Sequence, residues 1–366
     1  MATSTFSVLG AGHGGLALAG YLGLAGFPVR LWARRAESLA GVATMGGVFL
    51  EGVERGFGPV QTFAQLGDAI VGADVILVTV PASAHGELAE RCAPYLTAGQ
   101  VVLLLPGRTA GAIEFRQTLR RCGCQADVLI GETQTFPFAS RSTGPCTAHI
   151  HGIKRQLMAA ALPARRTAEL LAAVRPALPQ VRPARQVWKT SMDNIGAIFH
   201  PAVALLNAAR IETTGGSFRH YLDGISQSVA GMLEQMDAER VAVARALGVG
   251  ALPAREWQAE AYGVDRPSLY EAIQATPAYA AVGAPATLDH RYVWEDVPTG
   301  LVPISELGRA CRAPTPVMDT LVTLAAALCG RDFRSSGRNL KRLGMVGWSP
   351  GQISRYALEG DVIDLV

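Results

Sequence analysis

A chain of 366 residues with 49% hydrophobic and 17% charged residues is neither disordered nor small enough for a single core, so two domains are expected. A net charge of only +3 excludes a broad basic surface for nucleic acid or anionic membrane, and no apolar run reaches spanning length. Six cysteines with no C-x-x-C pair exclude a disulfide framework and read as reduced thiols. With no signal peptide ahead of the first strand, the expected location is the cytoplasm. The basic residues are almost all arginine, with lysine only at Lys154, Lys189 and Lys341, so a single arginine carries little information by itself.

The chain opens on a short apolar strand (Phe6, Val8, Leu9), a glycine turn and a helix of small apolar residues from Leu16. Gly10, Gly12 and Gly15 satisfy G-x-G-x-x-G. The first serves the tight turn, the second the approach of backbone to a pyrophosphate, and the third the packing of helix on strand. A second strand, Val29–Trp32, completes a βαβ unit, which lifts the motif above a chance glycine turn. Gly10, Gly12, His13, Gly14 and Gly15 are therefore candidate cofactor-binding residues, with the phosphates at the helix N-terminus. The second strand runs into Ala33-Arg34-Arg35, and Glu37 comes slightly late. An acid at this point would hold a ribose 2′-hydroxyl, whereas an arginine accommodates a 2′-phosphate. Arg34 and Arg35 favour NADP over NAD, although two adjacent arginines also suit a solvated surface.

Residues 46–67 read as short strands or a loop, and residues 68–73 close a helix. Near-continuous β-branched and apolar runs follow at 74–80, 101–105 and 127–130, separated by helical stretches at 84–95 and 109–121. This alternation predicts a doubly wound parallel sheet, a Rossmann domain, with ligands beyond the carboxyl ends of its strands. The Pro81–His85, Pro106–Thr109 and Glu132–Arg141 segments are then the candidate walls. Further strands are expected within 145–163. There His149 and His151 share a face, but no third ligand has metal spacing, and no metal is expected. A helix at 165–177 and a strand near 181–188 end this domain, taken as residues 1–188.

Residues 189–366 show helical periodicity and almost no strand signal, predicting an all-α second domain. Candidate helices are 190–199, 201–210, 218–247, 254–262, 268–274, 316–328 and 350–358, with 276–303 as a long irregular segment. Pro201 biases His200 away from helical geometry, so one helix should end there and the next begin at Pro201. His200 in that break is either a packed core histidine or a catalytic one. Glu295-Asp296 is either loop solvation, a helix cap, or a carboxylate that orients His200 and stabilises its cation.

Over nearly its whole length the sequence resembles the octopine/nopaline (opine) dehydrogenase family. In the first domain the likeness lies in the glycine turn, in Val80-Pro81-Ala82-Ser83-Ala84-His85, in Leu105-Pro106-Gly107-Arg108-Thr109-Ala110-Gly111-Ala112, and in Glu132-Thr133 with Pro137 and Arg141. In the second it lies in His200-Pro201, in Leu206-Asn207-Ala208-Ala209-Arg210-Ile211-Glu212, and in Arg291-Tyr292 with Glu295-Asp296-Val297-Pro298. Opine dehydrogenases join the α-amine of an amino acid to a 2-oxo acid and reduce the resulting imine with NAD(P)H. The resemblance implies that His200 and Asp296 are the catalytic pair, that Arg291 holds the oxo-acid carboxylate, and that Glu132 contacts the amino acid. Asn194, at the head of the His200 stretch, is taken with them as substrate-binding, and Pro81 with the cofactor. The chain departs from NAD-dependent members, which carry an acid at the end of the second strand.

The residue types suit this chemistry. An imidazole near neutral pKa can take the amine proton, and a guanidinium offers a planar fork to a carboxylate. Two other readings stand beside it. One is a 2-oxo or 3-hydroxy acid reductase on the same fold relying on Lys189; the other is a non-catalytic NADP-binding sensor. The expected partners are a small amino acid and a 2-oxo acid, with neither nucleic acid nor membrane, and a homodimer is the assembly kept in view.

Overall fold

The computed structural model describes residues 4–361. Two compact units emerge, one running to Thr190 and taking in the chain again from Arg355, the other spanning Ser191–Ser354. The sequence reading left the C-terminal end wholly in the helical half. Instead the last helix, Pro350–Glu359, runs into the first unit, where the Tyr356 hydroxyl accepts from Gln117 at 3.0 Å and Arg120 pairs with Asp361 at 2.6 Å.

Among its described residues the first unit has twelve strands: β1 Phe6–Leu9, β2 Val29–Trp32, β3 Gly47–Gly52, β4 Gly56–Pro59, β5 Gln61–Phe63, β6 Val75–Val78, β7 Val101–Leu104, β8 Leu129–Thr133, β9 Phe138–Gly144, β10 Thr147–Ile153, β11 Leu157–Leu162 and β12 Val181–Pro183. Eight form one sheet in the order β12-β11-β8-β7-β6-β1-β2-β5. Its pairs are parallel except β8 with β11. The order reverses between β1 and β6, which makes the crevice at their carboxyl ends the binding position of a doubly wound sheet. β6 and β7 are buried at every residue, which is why their sequences are unbroken Val/Ile/Leu runs.

The other four strands form a second sheet, β4-β3-β10-β9, that the sequence did not reveal as a unit. It packs on the helix His13–Leu24. A Cβ at Gly20 would meet Leu50 and Val48 at 2.9–3.0 Å, and one at Gly23 would come within 2.4 Å of the Pro59 carbonyl oxygen. Covered on both sides, that helix buries Leu16, Ala17, Leu18, Ala19 and Leu22 and shows no polar face. The small residues of its sequence are what a helix between two sheets requires.

Two boundaries in this unit differ from expectation. The chain near 181–188 is strand only to Pro183, because Val187–Met192 turns into helix. Glu132 lies inside β8 and not in the loop after it.

The second unit is helical, apart from one bridge between Arg219 and Gly283. The helix expected over 218–247 begins only at Gln227, where Ser226 caps it by accepting from the Val229 N–H. Arg240 and Asp237 on that helix form a buried pair at 2.7 Å, and Arg240 also donates to the carbonyls of Met192 and Leu252. The predicted break at His200 is absent. One helix, Gly196–Leu206, carries Pro201 inside it. Proline biases its predecessor away from helical geometry without barring it, and here residues 197–199 and 201–205 are all buried, so packing overrides the local preference. The segment expected to be irregular over 276–303 is helical from Arg291: a turn Arg291–Trp294, a wider π turn Val297–Leu301, and the helix Val302–Ala310. Pro298 and Pro303 in this run lack the N–H that a regular α-helix would use, which accounts for the irregular register.

Candidate active site

In the first unit the three motif glycines have three separate physical reasons. Gly10 sits at φ +125°, a conformation other residues rarely adopt. A Cβ at Gly15 would lie 1.8 Å from the Gly10 carbonyl oxygen, so the helix starts directly against the turn. A Cβ at Gly12 would meet nothing within 4 Å, which leaves open space where a pyrophosphate approaches the backbone. Gly12 is also the N-cap, with no side-chain cap and no acid in the first helical turn, so the N-terminal amides suit an anion. Thr79, just past β6, donates to the carbonyls of Leu9 at 3.1 Å and Gly10 at 3.0 Å and closes the switch point. These features fit a nicotinamide dinucleotide.

His13 and Gly14 have different reasons to be there. The His13 Nδ1 accepts from the Ser142 N–H at 3.0 Å, tying the turn to β9, and a Cβ at Gly14 would lie 2.7 Å from the Phe136 ring. Pro81 is exposed at the entry to the 3₁₀ turn Ala82–Ala84. Arg34 and Arg35 are exposed beyond β2. Arg34 stands 3.8 Å from Glu87, and Arg91 lies over the Trp32 ring at 4.9 Å. Glu87, Arg91 and Thr79 were missed in the sequence because each acts across the sheet from another strand or helix.

Glu132 is wholly buried. Its Oε2 accepts from the Ala112 N–H at 2.8 Å and its Oε1 from the Thr190 hydroxyl at 2.6 Å. With both oxygens committed, this carboxylate fastens the start of helix Gly111–Arg121 and the end of the unit to β8. It thereby ties together three elements of the first unit. Lys189 is half-buried on the helix Val187–Met192.

In the second unit the helix Gly196–Leu206 and the turn before Val297 bring together two residues distant in sequence. His200 Nδ1 lies 2.8 Å from Asp296 Oδ2. The carboxylate is 0% exposed and the imidazole side chain 21%. An ionised carboxylate only accepts, so with Asp296 in that form Nδ1 is the donor and Nε2 is the ring nitrogen outside the pair. Tyr292 stacks on His200 with ring centres 4.4 Å apart and planes 22° from parallel. His220 and His290 contact the same tyrosine at 4.7 and 4.4 Å. Burial, with repulsion from His200 and His290, pushes the His220 pKa down to about 3. Burial also lowers that of His290, followed by Arg291 and His200. These two histidines are thus neutral neighbours of His200. No motif marked them, because they reach the site from a turn and a loop.

Arg291 is exposed and held at 2.7 Å by the buried Glu295 carboxylate, one helical turn away. This pair keeps the guanidinium beside the dyad and leaves most of its fork turned outward. Asn194 is buried next to Gly300, its Nδ2 3.6 Å from where a Cβ would stand.

Residues 183–329 match the family described as NAD/NADP octopine/nopaline dehydrogenase, alpha-helical domain, and residues 6–152 match ketopantoate reductase PanE/ApbA. An opine dehydrogenase of Arthrobacter sp. (strain 1C) is 41% identical over 98% of this chain and 99% of its own length. Protein ocs of Agrobacterium tumefaciens (strain Ach5) is 27% identical over 97% and 99%. Among solved structures, octopine dehydrogenase with NADH and L-arginine superposes with a TM-score of 0.80 at 22% identity over 98% of both chains. Yersinopine dehydrogenase with NADP⁺ bound gives 0.73 at 16% identity, over 96% of this chain and 99% of that one. The reductase family model matches only the dinucleotide-binding half, residues 6–152. The helical half that carries His200 and Asp296 matches the octopine/nopaline model. This chain belongs to the opine dehydrogenase family of NAD(P)-dependent oxidoreductases acting on CH–NH groups.

Proposed function

We propose that the protein condenses the α-amine of an amino acid with a 2-oxo acid and reduces the product with NADPH, using His200 and Asp296 as its acid–base pair. The observation that carries this reading is the buried carboxylate on Nδ1 of a partly accessible imidazole. Nε2 takes a proton from the attacking amine, and Asp296 stabilises the imidazolium that results. The imidazolium then returns the proton to the carbinolamine hydroxyl, which leaves as water. When bound, the reduced nicotinamide supplies the hydride to the imine carbon. Arg291, oriented by Glu295, offers two parallel N–H donors to the oxo-acid carboxylate and so presents one face of that carbon. Asn194 belongs to the substrate side of the same assembly, through the polar side chain it places beside the dyad turn.

The preference for NADPH rests on Arg34 and Arg35 beyond β2, where no acid stands to hold a ribose hydroxyl. A cytoplasmic location accords with six free cysteines, and among the described residues no helix is long and apolar enough to cross a membrane. The homodimer is a matter for sedimentation. The test of function is a matrix of amino acids against pyruvate, 2-oxoglutarate and glyoxylate, scored by NADPH oxidation. Oxidation should require both partners; equal oxidation with an oxo acid alone would overturn the proposal.

A further inference from the structure

We infer that Gly300 is a positioning residue for the His200–Asp296 pair, because its missing side chain lets the helix that carries His200 close onto the turn that follows Asp296. The inference rests on the dyad reading above. Gly300 is buried inside the π turn Val297–Leu301. A Cβ built there would lie 2.6 Å from the Ala197 Cβ, 3.4 Å from the Ala197 Cα and 3.6 Å from Asn194 Nδ2. Carbon atoms in contact prefer roughly 3.5–4.0 Å, so the first of these distances is a clash of about 1 Å, while the others are close to ordinary contact.

Neither side can absorb the clash by rotating a side chain, since a methyl group has no rotamer to change. Ala197 is one turn before His200 and shares its face of the helix Gly196–Leu206. Moving Ala197 outward therefore moves His200 with it. The other partner is equally fixed, because Asp296 immediately precedes the π turn and Thr299 ties back to Glu295, its hydroxyl donating to the Glu295 carbonyl at 2.7 Å. A hydrogen bond of 2.8 Å does not survive a displacement of about 1 Å, and misplacement on that scale costs on the order of 10²-fold in rate.

The test compares Gly300→Ala, Ala197→Gly, the double variant and His200→Ala in the full-length protein. Measured are kcat, NADPH affinity by fluorescence titration, and the downfield proton resonance of the His200 Nδ1–H. Gly300→Ala should lower kcat by about 10- to 100-fold, bind NADPH within about twofold of wild type, and lose or shift the downfield resonance. The double variant should recover kcat to within about threefold of Ala197→Gly alone, together with the resonance, because removing the Ala197 methyl removes the clash. Wild-type kcat in Gly300→Ala, or a double variant as slow as the single, overturns the inference while the dyad stands. If Gly300→Ala does not fold, recovery of a folded, active double variant supports the inference and failure of both overturns it. Full activity in His200→Ala overturns the dyad reading itself, and the role of Gly300 falls with it.

Discussion

The imidazole of His200 holds its Nδ1 2.8 Å from Oδ2 of Asp296, a residue 96 positions further along the chain. The carboxylate is sealed from solvent, whereas the imidazole keeps a fifth of its side-chain surface. That asymmetry suits a proton carrier. Asp296 holds one ring nitrogen, and the other is left for the chemistry proposed above.

Cofactor choice should follow Arg34. NADPH should bind at least about tenfold more tightly than NADH, since a charge-assisted contact to the 2′-phosphate contributes about 1.5–3 kcal/mol. Isothermal titration of Arg34→Ala with both cofactors checks this, and an unchanged ratio would remove Arg34 from the site. The ion pair to Glu87 is exposed on both sides and offers only weak competition for the guanidinium.

Gly12 and Gly15 should separate binding from folding. Gly12→Ala adds a methyl where nothing lies within 4 Å, so its melting temperature should stay near wild type while NADPH affinity falls. Gly15→Ala drives a methyl into the Gly10 carbonyl and should not yield soluble folded protein. Equal melting temperatures for the two variants would contradict the assignment of separate roles.

His220 should make the protein acid-sensitive. Its folded pKa of about 3 lies below the ordinary histidine value of 6.5, so between those pH values the unfolded chain binds the extra proton. Stability contributed by the neutral ring is complete above pH about 6.5 and falls by up to about 1.4 kcal/mol per unit as pH drops toward 3. Neither ring nitrogen has a hydrogen-bond partner among the described residues, so His220→Phe should flatten this slope without loss of stability at neutral pH. Urea midpoints measured from pH 7 to pH 4 decide it; parallel curves for the two proteins would show that His220 does not titrate as described.

Much of this was legible in the sequence, for reasons that can be named. The glycine turn could be read because its motif is local: Gly10 and Gly15 each meet a backbone demand within one turn, and Gly12 leaves open space. Buried parallel strands could be read because burial on both faces removes every polar residue. His200 and Glu295-Asp296 were candidates from the residues alone, with other readings open, and the family resemblance singled out Asp296 as the partner, since nothing in their spacing says that they meet. Pairing of β3 and β4 with β9 and β10 was invisible because a hundred residues separate the partners that join them, as Phe49 and Thr147 do. The helix through Pro201 was misread because local preference argued for a break and the burial that overrides it is a tertiary fact. The bonds of Glu132 to Ala112 and Thr190 were out of reach for the same reason, because those partners lie on other elements.

The central claim is that His200 and Asp296 act as one acid–base device in reductive condensation, and a double-mutant cycle tests it most directly. His200→Ala, Asp296→Asn, their combination and Lys189→Ala are to be compared by kcat with oxo acid alone and with amine added. Each dyad variant should lose roughly 10²–10⁴-fold in the amine-dependent rate, with NADPH affinity unchanged. The double variant should be little worse than the worse single, because residues acting as a unit are not additive, and Lys189→Ala should be mild. Additive losses in the double variant, or full activity in His200→Ala with a severe loss in Lys189→Ala, would contradict the account.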